Sequence, residues 1–209
     1  MQLGDGGANG SIVGNVTNNG TFAINRSDTF TFGGAISGSG AFQQNGTGTT
    51  IFTAANTYTS GTFINAGTLR LGPGGSLAPT GALTVNAGGT FDLNSFNQTI
   101  GSLAGAGSVT LGAGTLTTGS DNTSTTFSGT ISGTGGLTKI GAGTLVLTGN
   151  NPYSGATAVN GGRLTVNGAI PNSTLTVDGA PPSAAPAQSA TRSSATGRSR
   201  PATRSVPSR

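Results

Sequence analysis

Residues 31–71 and 126–166 align without a gap at a constant offset of 95, and 17 of the 41 positions are identical. The shared positions include Phe32 and Phe127, Ile36 and Ile131, Asn56 and Asn151, Tyr58 and Tyr153, Asn65 and Asn160, and Leu69 and Leu164. A Gly-rich composition raises chance matches among glycines, but it does not place Phe, Tyr and Asn in register. The chain therefore carries an internal repeat. Repeats of this length mark folds in which each unit buries its apolar side chains against a neighbouring unit.

The apolar pattern between and within the copies is a set of short alternating pairs: Phe22/Ile24, Leu69/Leu71, Leu83/Val85, Phe91/Leu93, Val109/Leu111, Leu145/Leu147, Leu164/Val166 and Leu175/Val177. One residue separates the members of each pair, so both side chains point to one face of a strand. Thr, a good strand residue that tolerates water, fills many of the middle positions. Gly, Asn, Asp and Ser then break each run with turn chemistry. Apolar residues nowhere recur at helical spacing over a dozen positions, so no helix is expected in the body.

Many short strands between turns suit a sandwich, a barrel or a β-solenoid. A sandwich needs longer alternating strands and bulky residues from two facing sheets. A solenoid needs only one or two inward residues per strand, because its coils stack along a long axis and build files of Asn, Thr and aromatic side chains. The repeat and the pairs select the solenoid. At roughly 20–25 residues per coil, a body of residues 1–180 makes about seven to nine coils.

Composition narrows the chemistry. The chain has Gly 39, no His, no Cys, no Trp and, among its five acids, no Glu. Cys/His zinc sites, thiol chemistry, disulfides and any triad with a His base are excluded. The net charge of +4 comes from the end of the chain: residues 181–209 hold Arg192, Arg198, Arg200, Arg204 and Arg209. Residues 1–180 set Arg26, Arg70, Lys139 and Arg163 against Asp5, Asp28, Asp92, Asp121 and Asp178. The basic balance gives no reason to expect nucleic-acid binding by the body. No apolar run is long enough for a transmembrane helix. The opening residues, MQLGDGGANG, lack the basic and apolar regions of a signal peptide.

The string SGTISGTGGLTKIGAGTLVLTGNNPYSGATAVNGGRL, within residues 126–166, closely resembles the autotransporter-associated β-strand repeat of type V secretion passenger domains. The stretch 82–130, with ALTVNAGGTFDLNSFNQTIGSLAGAGSV, reads in the same way. The resemblance covers most of residues 1–180. It implies a right-handed parallel β-helix, exported across the outer membrane by a C-terminal translocator barrel and exposed at the cell surface or released outside it. Neither a signal peptide nor a barrel is read in these residues. The absence of Cys agrees with passage through a barrel in an extended state.

After Ala180 the alternation stops. Residues 181–209 are rich in Pro, Ser, Ala and Arg and read as a disordered basic arm. A second reading is a shifted frame. Residues 198–208 can be written in codons whose third-base frame spells IAPGNSIGTL, a passage typical of the segment C-terminal to these repeats in the family. Open solenoid ends are unpaired edges, and no cap is evident at Ala180, so further coils are expected there.

No phosphate-binding loop, dinucleotide fingerprint or nucleophile elbow is present. Tyr58 and Tyr153 could stack on a sugar, but their equivalence in the repeat points to a structural corner. Asn56, Asn151, Asn65 and Asn160 read as turn caps or ladders. Lys139 aligns with Gln44, so the position does not demand a charge, and it reads as a solvated side chain. The five Asp are the only candidate acids, and no two share a short motif. An ice-binding Thr array would need Thr-x-Thr on successive coils. Thr115-Leu116-Thr117 and Thr174-Leu175-Thr176 are scattered cases without a repeating interval.

These readings give no catalytic, cofactor-binding or metal-binding residues. The marked positions are structural: Phe32, Ile36, Asn56, Tyr58, Asn65, Leu69, Phe127, Ile131, Asn151, Tyr153, Asn160 and Leu164. The function expected is a structural or adhesive rod of an autotransporter passenger. Its expected partners are host-cell or biofilm glycans and proteins. The alternatives are a free-standing solenoid that binds such surfaces and, further off, a polysaccharide-active β-helix enzyme.

Overall fold

The computed structural model describes residues 1–178, and these form a parallel β-solenoid of about nine turns without a helix. The arm and the alternative frame expected over 181–209 lie outside the described residues.

Each coil passes through three sheets, and every strand pair is parallel. The first sheet is continuous along the rod: Gln2–Leu3, Thr21–Ile24, Ala41–Gln44, Thr62–Ile64, Leu83–Val85, Leu103–Gly105, Thr125–Phe127, Thr144–Leu147 and Arg163–Val166. The second runs from Thr29–Phe32 through Thr49–Phe52, Gly67–Leu71, Gly89–Asp92 and Ser108–Thr110 to Thr130–Ser132. The third begins as Val16–Thr17 beside Ile36–Ser37 and narrows to a single bridge between Ala55 and Ser76. It then continues from Gln98–Ile100 through Leu116–Thr118, Leu137–Lys139 and Thr157–Val159 to Leu175–Val177. Nine strands at about 4.8 Å make a rod of about 40 Å.

The alternating pairs build the interior. Phe22, Ile24, Leu69, Leu71, Leu83, Val85, Phe91, Leu93, Val109, Leu111, Leu145 and Leu147 are all buried. The first coils are filled by aromatics packed edge to face, with ring centroids 5.8 Å apart for Phe22 and Phe32, 6.0 Å for Phe22 and Phe42, and 4.8 Å for Phe42 and Phe52. Such geometry adds about 0.5–1.5 kcal/mol per pair beyond area burial. The last pair departs from the expected pattern: Leu175 and Val177 are exposed. They lie on the terminal strand of the third sheet, which pairs with Thr157–Val159 on one side only, and no described strand stacks beyond it.

Corners are satisfied by side chains as well as by backbone. Asn15 Oδ1 accepts from Ala35 N, Asn97 Oδ1 from Thr115 N and Asn122 Oδ1 from Ala142 N, at 2.9, 2.8 and 2.8 Å. Side-chain and backbone acceptors of neighbouring coils thus receive many of the turn N–H groups, which is what lets loops sit in a stack without stranded polar groups. Close approach explains many glycines here. A Cβ on Gly129 would stand 1.8 Å from Gly107 O, on the coil below.

The two repeat copies do not stand above one another. Phe42–Gln44 is in the first sheet, whereas its equivalent Leu137–Lys139 is in the third; Thr49–Phe52 is in the second, whereas Thr144–Leu147 is in the first. Register partners stand 18 residues apart at the shortest (Thr90 to Ser108) and 22 at the longest (Thr68 to Thr90). An offset of 95 residues therefore covers four whole coils and two of three faces. The same local motif is set on a different pair of sheets, rotated by a third of a turn.

Candidate functional site

The buried polar positions of the repeat form one class of site, and their partners match between the copies. Tyr58 Oη meets Thr62 Oγ1 at 2.6 Å, and Tyr153 Oη meets Thr157 Oγ1 at 2.5 Å. Both rings are fully buried, and burial raises both phenols above their ordinary value despite those bonds. Neither is free to stack on a sugar. Asn56 Oδ1 accepts from Ile36 N at 2.8 Å and Asn151 Oδ1 from Ile131 N at 2.9 Å, while their amides donate to Ala54 O and Gly149 O. Phe32, Leu69, Phe127, Ile36, Ile131 and Leu164 are core residues.

Lys139 corrects the reading of a solvated side chain. It is 1 % exposed, and its ammonium donates to the carbonyls of Ile140, Gly141 and Gly161, the last two at 3.1 and 3.4 Å. Gln44 occupies the equivalent place, also 1 % exposed, with Nε2 donating to Gly46 O at 2.9 Å and Oε1 accepting from Thr50 at 2.6 Å. The position requires a long side chain ending in an N–H donor, because turn carbonyls point inward there. It does not require the charge. Desolvation pulls the Lys139 ammonium below its ordinary value, partly opposed by Asp121.

The Asp residues do not assemble. Asp28 binds Arg26 at 2.8 Å, and that bond holds its carboxyl below the usual range; the Arg26 guanidinium lies over Phe30 at 4.8 Å. Asp92 binds Arg70 on the adjacent coil at 2.7 Å. Burial would raise the Asp121 carboxyl, but hydrogen bonds from Ser102 and Thr123 outweigh it. Among the described residues no group of three His, Cys, Asp or Glu side chains could hold a metal.

The outer surface forms files that the sequence does not reveal. On the second sheet Thr29, Thr49, Thr68, Thr90, Ser108 and Thr130 stand in register. Coils of unequal length hide this regular file, which is made of single hydroxyls and includes neither Thr115–Thr117 nor Thr174–Thr176. Its neighbouring file includes Ile51, Arg70 and Asp92, so the two files together do not make a hydroxyl lattice. On the first sheet Gln43, Phe63 and Thr84 stand in register on the outer face. Beside them, two residues onward, Asn45, Asn65 and Asn86 form a ladder. Asn86 Nδ2 donates to Asn65 Oδ1 and Asn65 Nδ2 to Asn45 Oδ1, both at 2.7 Å, and Asn45 Nδ2 to Gln43 Oε1 at 3.5 Å. Asn160 is exposed and makes no such bond among the described residues. The ladder is therefore not repeated at the second copy. Phe63 escapes a reading of the sequence because an aromatic in an alternating strand ordinarily faces the core; only its buried neighbours, Thr62 and Ile64, show that it faces out.

The fold and these surfaces define a parallel β-solenoid whose interior is fully engaged and whose chemistry faces outward along the rod. Residues 42–71 and 137–166 match the passenger-associated-transport-repeat model, and the two matches lie at the offset of the internal repeat. The chain is 43% identical over 155 residues, 69% of its length, to the adhesin BmaC autotransporter of Brucella suis biovar 1 (strain 1330), of which it spans 4%. It is 57% identical over 44 residues, 21% of its length, to an extracellular serine protease of Serratia marcescens, again 4% of that protein. No solved structure matches. The chain is an autotransporter passenger repeat protein, and it spans about one twenty-fifth of the length of these relatives.

Proposed function

We propose that this chain is a segment of an autotransporter passenger rod, exposed at the cell surface, adhesive, and without catalysis of its own. The observation that carries the reading is the likeness along 155 residues to a protein named as an adhesin. The solenoid supports it physically. Stacked coils hold outward side chains at fixed spacing over about 40 Å, and a rigid surface loses little entropy when it binds. The partners are host-cell or biofilm glycans and proteins, and the translocator is a C-terminal barrel of the same precursor.

Adhesion is tested with beads carrying the purified 209-residue chain, passed over epithelial cells and over a preformed biofilm. Retention above albumin-coated beads on either surface supports the reading. Retention equal to albumin on both overturns adhesion and leaves a spacer. An antiserum against the chain should label intact bacteria, and label that appears only after lysis overturns surface exposure. The spacer is the second reading, favoured by one observation: a stretch of 44 residues is shared with proteins named as proteases rather than adhesins.

A further inference from the structure

We propose that Gln43, Asn45, Phe63, Asn65, Thr84 and Asn86 form a binding patch for a neutral oligosaccharide laid along the rod axis. The proposal rests on the adhesive reading and names the ligand class and the place.

Three observations point to it. Phe63 lies between the buried Thr62 and Ile64, so its half-buried ring stands on the outer face of the sheet; it is the one aromatic in the outer file that runs from Ala23 through Gln43 and Thr84 to Ala104. An outward ring on a flat sheet offers an apolar platform of fixed orientation with few torsions to freeze. The carbon-bound face of a pyranose is the complementary surface.

The ladder beside it is polar and directional. Its donors all run one way, from Asn86 to Asn65 to Asn45 to Gln43. Each Asn amide has two N–H groups and a carbonyl oxygen with two lone pairs, and the ladder uses one of each at most. The rungs are thereby locked in place while retaining a donor and an acceptor for a ligand. Asn86 Oδ1 accepts no hydrogen bond among the described residues, and Gln43 Nε2 donates none. A sugar hydroxyl both donates and accepts, so a row of such groups matches a row of half-used amides. From Asn45 to Asn86 the patch extends about 10 Å, two coil steps.

Charge selects among sugars. No Asp, Lys or Arg stands in either file, from Ala23 to Ala104 or from Asn25 to Ala106. The charged groups of the second sheet, Arg70 and Asp92, satisfy each other, as do Arg26 and Asp28 in the turn after Asn25. An anionic glycan would find no cation to repay the loss of its hydration, whereas a neutral one loses only hydroxyl hydration, which the half-used amides can replace. The equivalent residue in the second copy is Ala158, on the third sheet, so the patch is not repeated there.

The test is titration of the isotopically labelled 209-residue chain with maltohexaose, cellohexaose and laminarihexaose, and with a heparin hexasaccharide, monitored through the side-chain amide signals. The expected result is that at least one neutral hexasaccharide shifts Asn45, Asn65 and Asn86 together. Phe63→Ala and Asn65→Ala should each weaken that binding at least tenfold with the strand signature intact, while Thr90→Ala on the second sheet leaves it unchanged. No shift with any neutral sugar, shifts with heparin alone, or shifts that survive both patch variants overturn the proposal. The bead assay separates the two readings. Sugar binding at the patch with beads that do not adhere overturns adhesion and keeps the patch; beads that adhere equally with or without Phe63→Ala, and no sugar shift, do the reverse.

Discussion

Gln44 and Lys139, 95 residues apart, occupy the same place in the repeat and do the same work: each buries a long side chain whose terminal nitrogen donates to the carbonyls of the turn after its strand. One achieves this with a neutral amide and the other with an ammonium. Desolvating a charge is costly, so the amide is the cheaper solution at a position that asks only for donors.

Lys139→Gln should therefore leave the rod as stable as before or stabilise it, whereas Lys139→Leu should destabilise it by about 1–3 kcal/mol, the cost of unsatisfied buried carbonyls. Urea denaturation of the two variants checks the order. The titration gives a second handle. The folded-state pKa is lowered from 10.5, so the unfolded chain binds more protons between the lowered value and 10.5. Stability should rise with pH across that window in the parent chain and not in Lys139→Gln. The difference between the two curves removes the opposing contribution of the tyrosines, whose raised pKa values destabilise the fold as pH climbs past 10.

Tyr58→Phe should cost more than Tyr153→Phe. Thr62 has the Tyr58 hydroxyl as its side-chain partner, whereas Thr157 also meets Ser173 Oγ at 2.7 Å. Removing the hydroxyl from Tyr58 leaves the buried Thr62 hydroxyl without its side-chain partner, at about 1–2 kcal/mol, and the Tyr153 variant should lose about half of that. Thermal melts of the pair, in one buffer, give the ranking.

Asn56→Ala should remove three bonds at once, leaving Ile36 N without its acceptor and Ala54 O and Ser76 O without the side-chain donor. A loss of about 2–3 kcal/mol is expected. Hydrogen exchange is the sharper readout: the Ile36 amide should exchange much faster in the variant, while the Ile131 amide, held by Asn151, stays protected.

Two glycine substitutions should differ widely. In Gly129→Ala the new carbon falls on a carbonyl of the coil below, whereas in Gly20→Ala it meets nothing within 4 Å. The first forces two coils apart and should cost several kcal/mol. The second should change stability by less than about 0.5 kcal/mol, as surface changes usually do. Melting temperatures of the two variants test whether coil spacing is the constraint.

Much of this architecture is legible in the sequence. The alternating pairs from Phe22/Ile24 to Leu145/Leu147 identify inward residues because alternation has one physical meaning in a strand. Asn56 and Tyr58 read as corner residues because their counterparts recur together. What escapes is set by coil length. Steps of 18 to 22 residues conceal the file from Thr29 to Thr130, which has no constant interval in the sequence. The same irregularity conceals that Leu137–Lys139 and Phe42–Gln44 belong to different sheets. Lys139 is misplaced by sequence reasoning because a lone lysine is ordinarily a surface residue; the turn carbonyls of Ile140 and Gly141 point inward only once the strand is set in the coil, and Gly161 O arrives with the next coil.

The third-of-a-turn displacement between copies sets how such a rod grows. Each tandem duplication of the 95-residue unit adds four and two-thirds revolutions, so a new copy points its outer residues in a new compass direction. Three additions complete a whole number of revolutions, and the fourth copy comes back over the first. A passenger lengthened this way would carry any side chain belonging to the unit in three files spaced a third of a turn apart around the shaft, so that approach from any direction meets one of them. A patch confined to one copy, such as that around Phe63, would remain a single landmark on one flank.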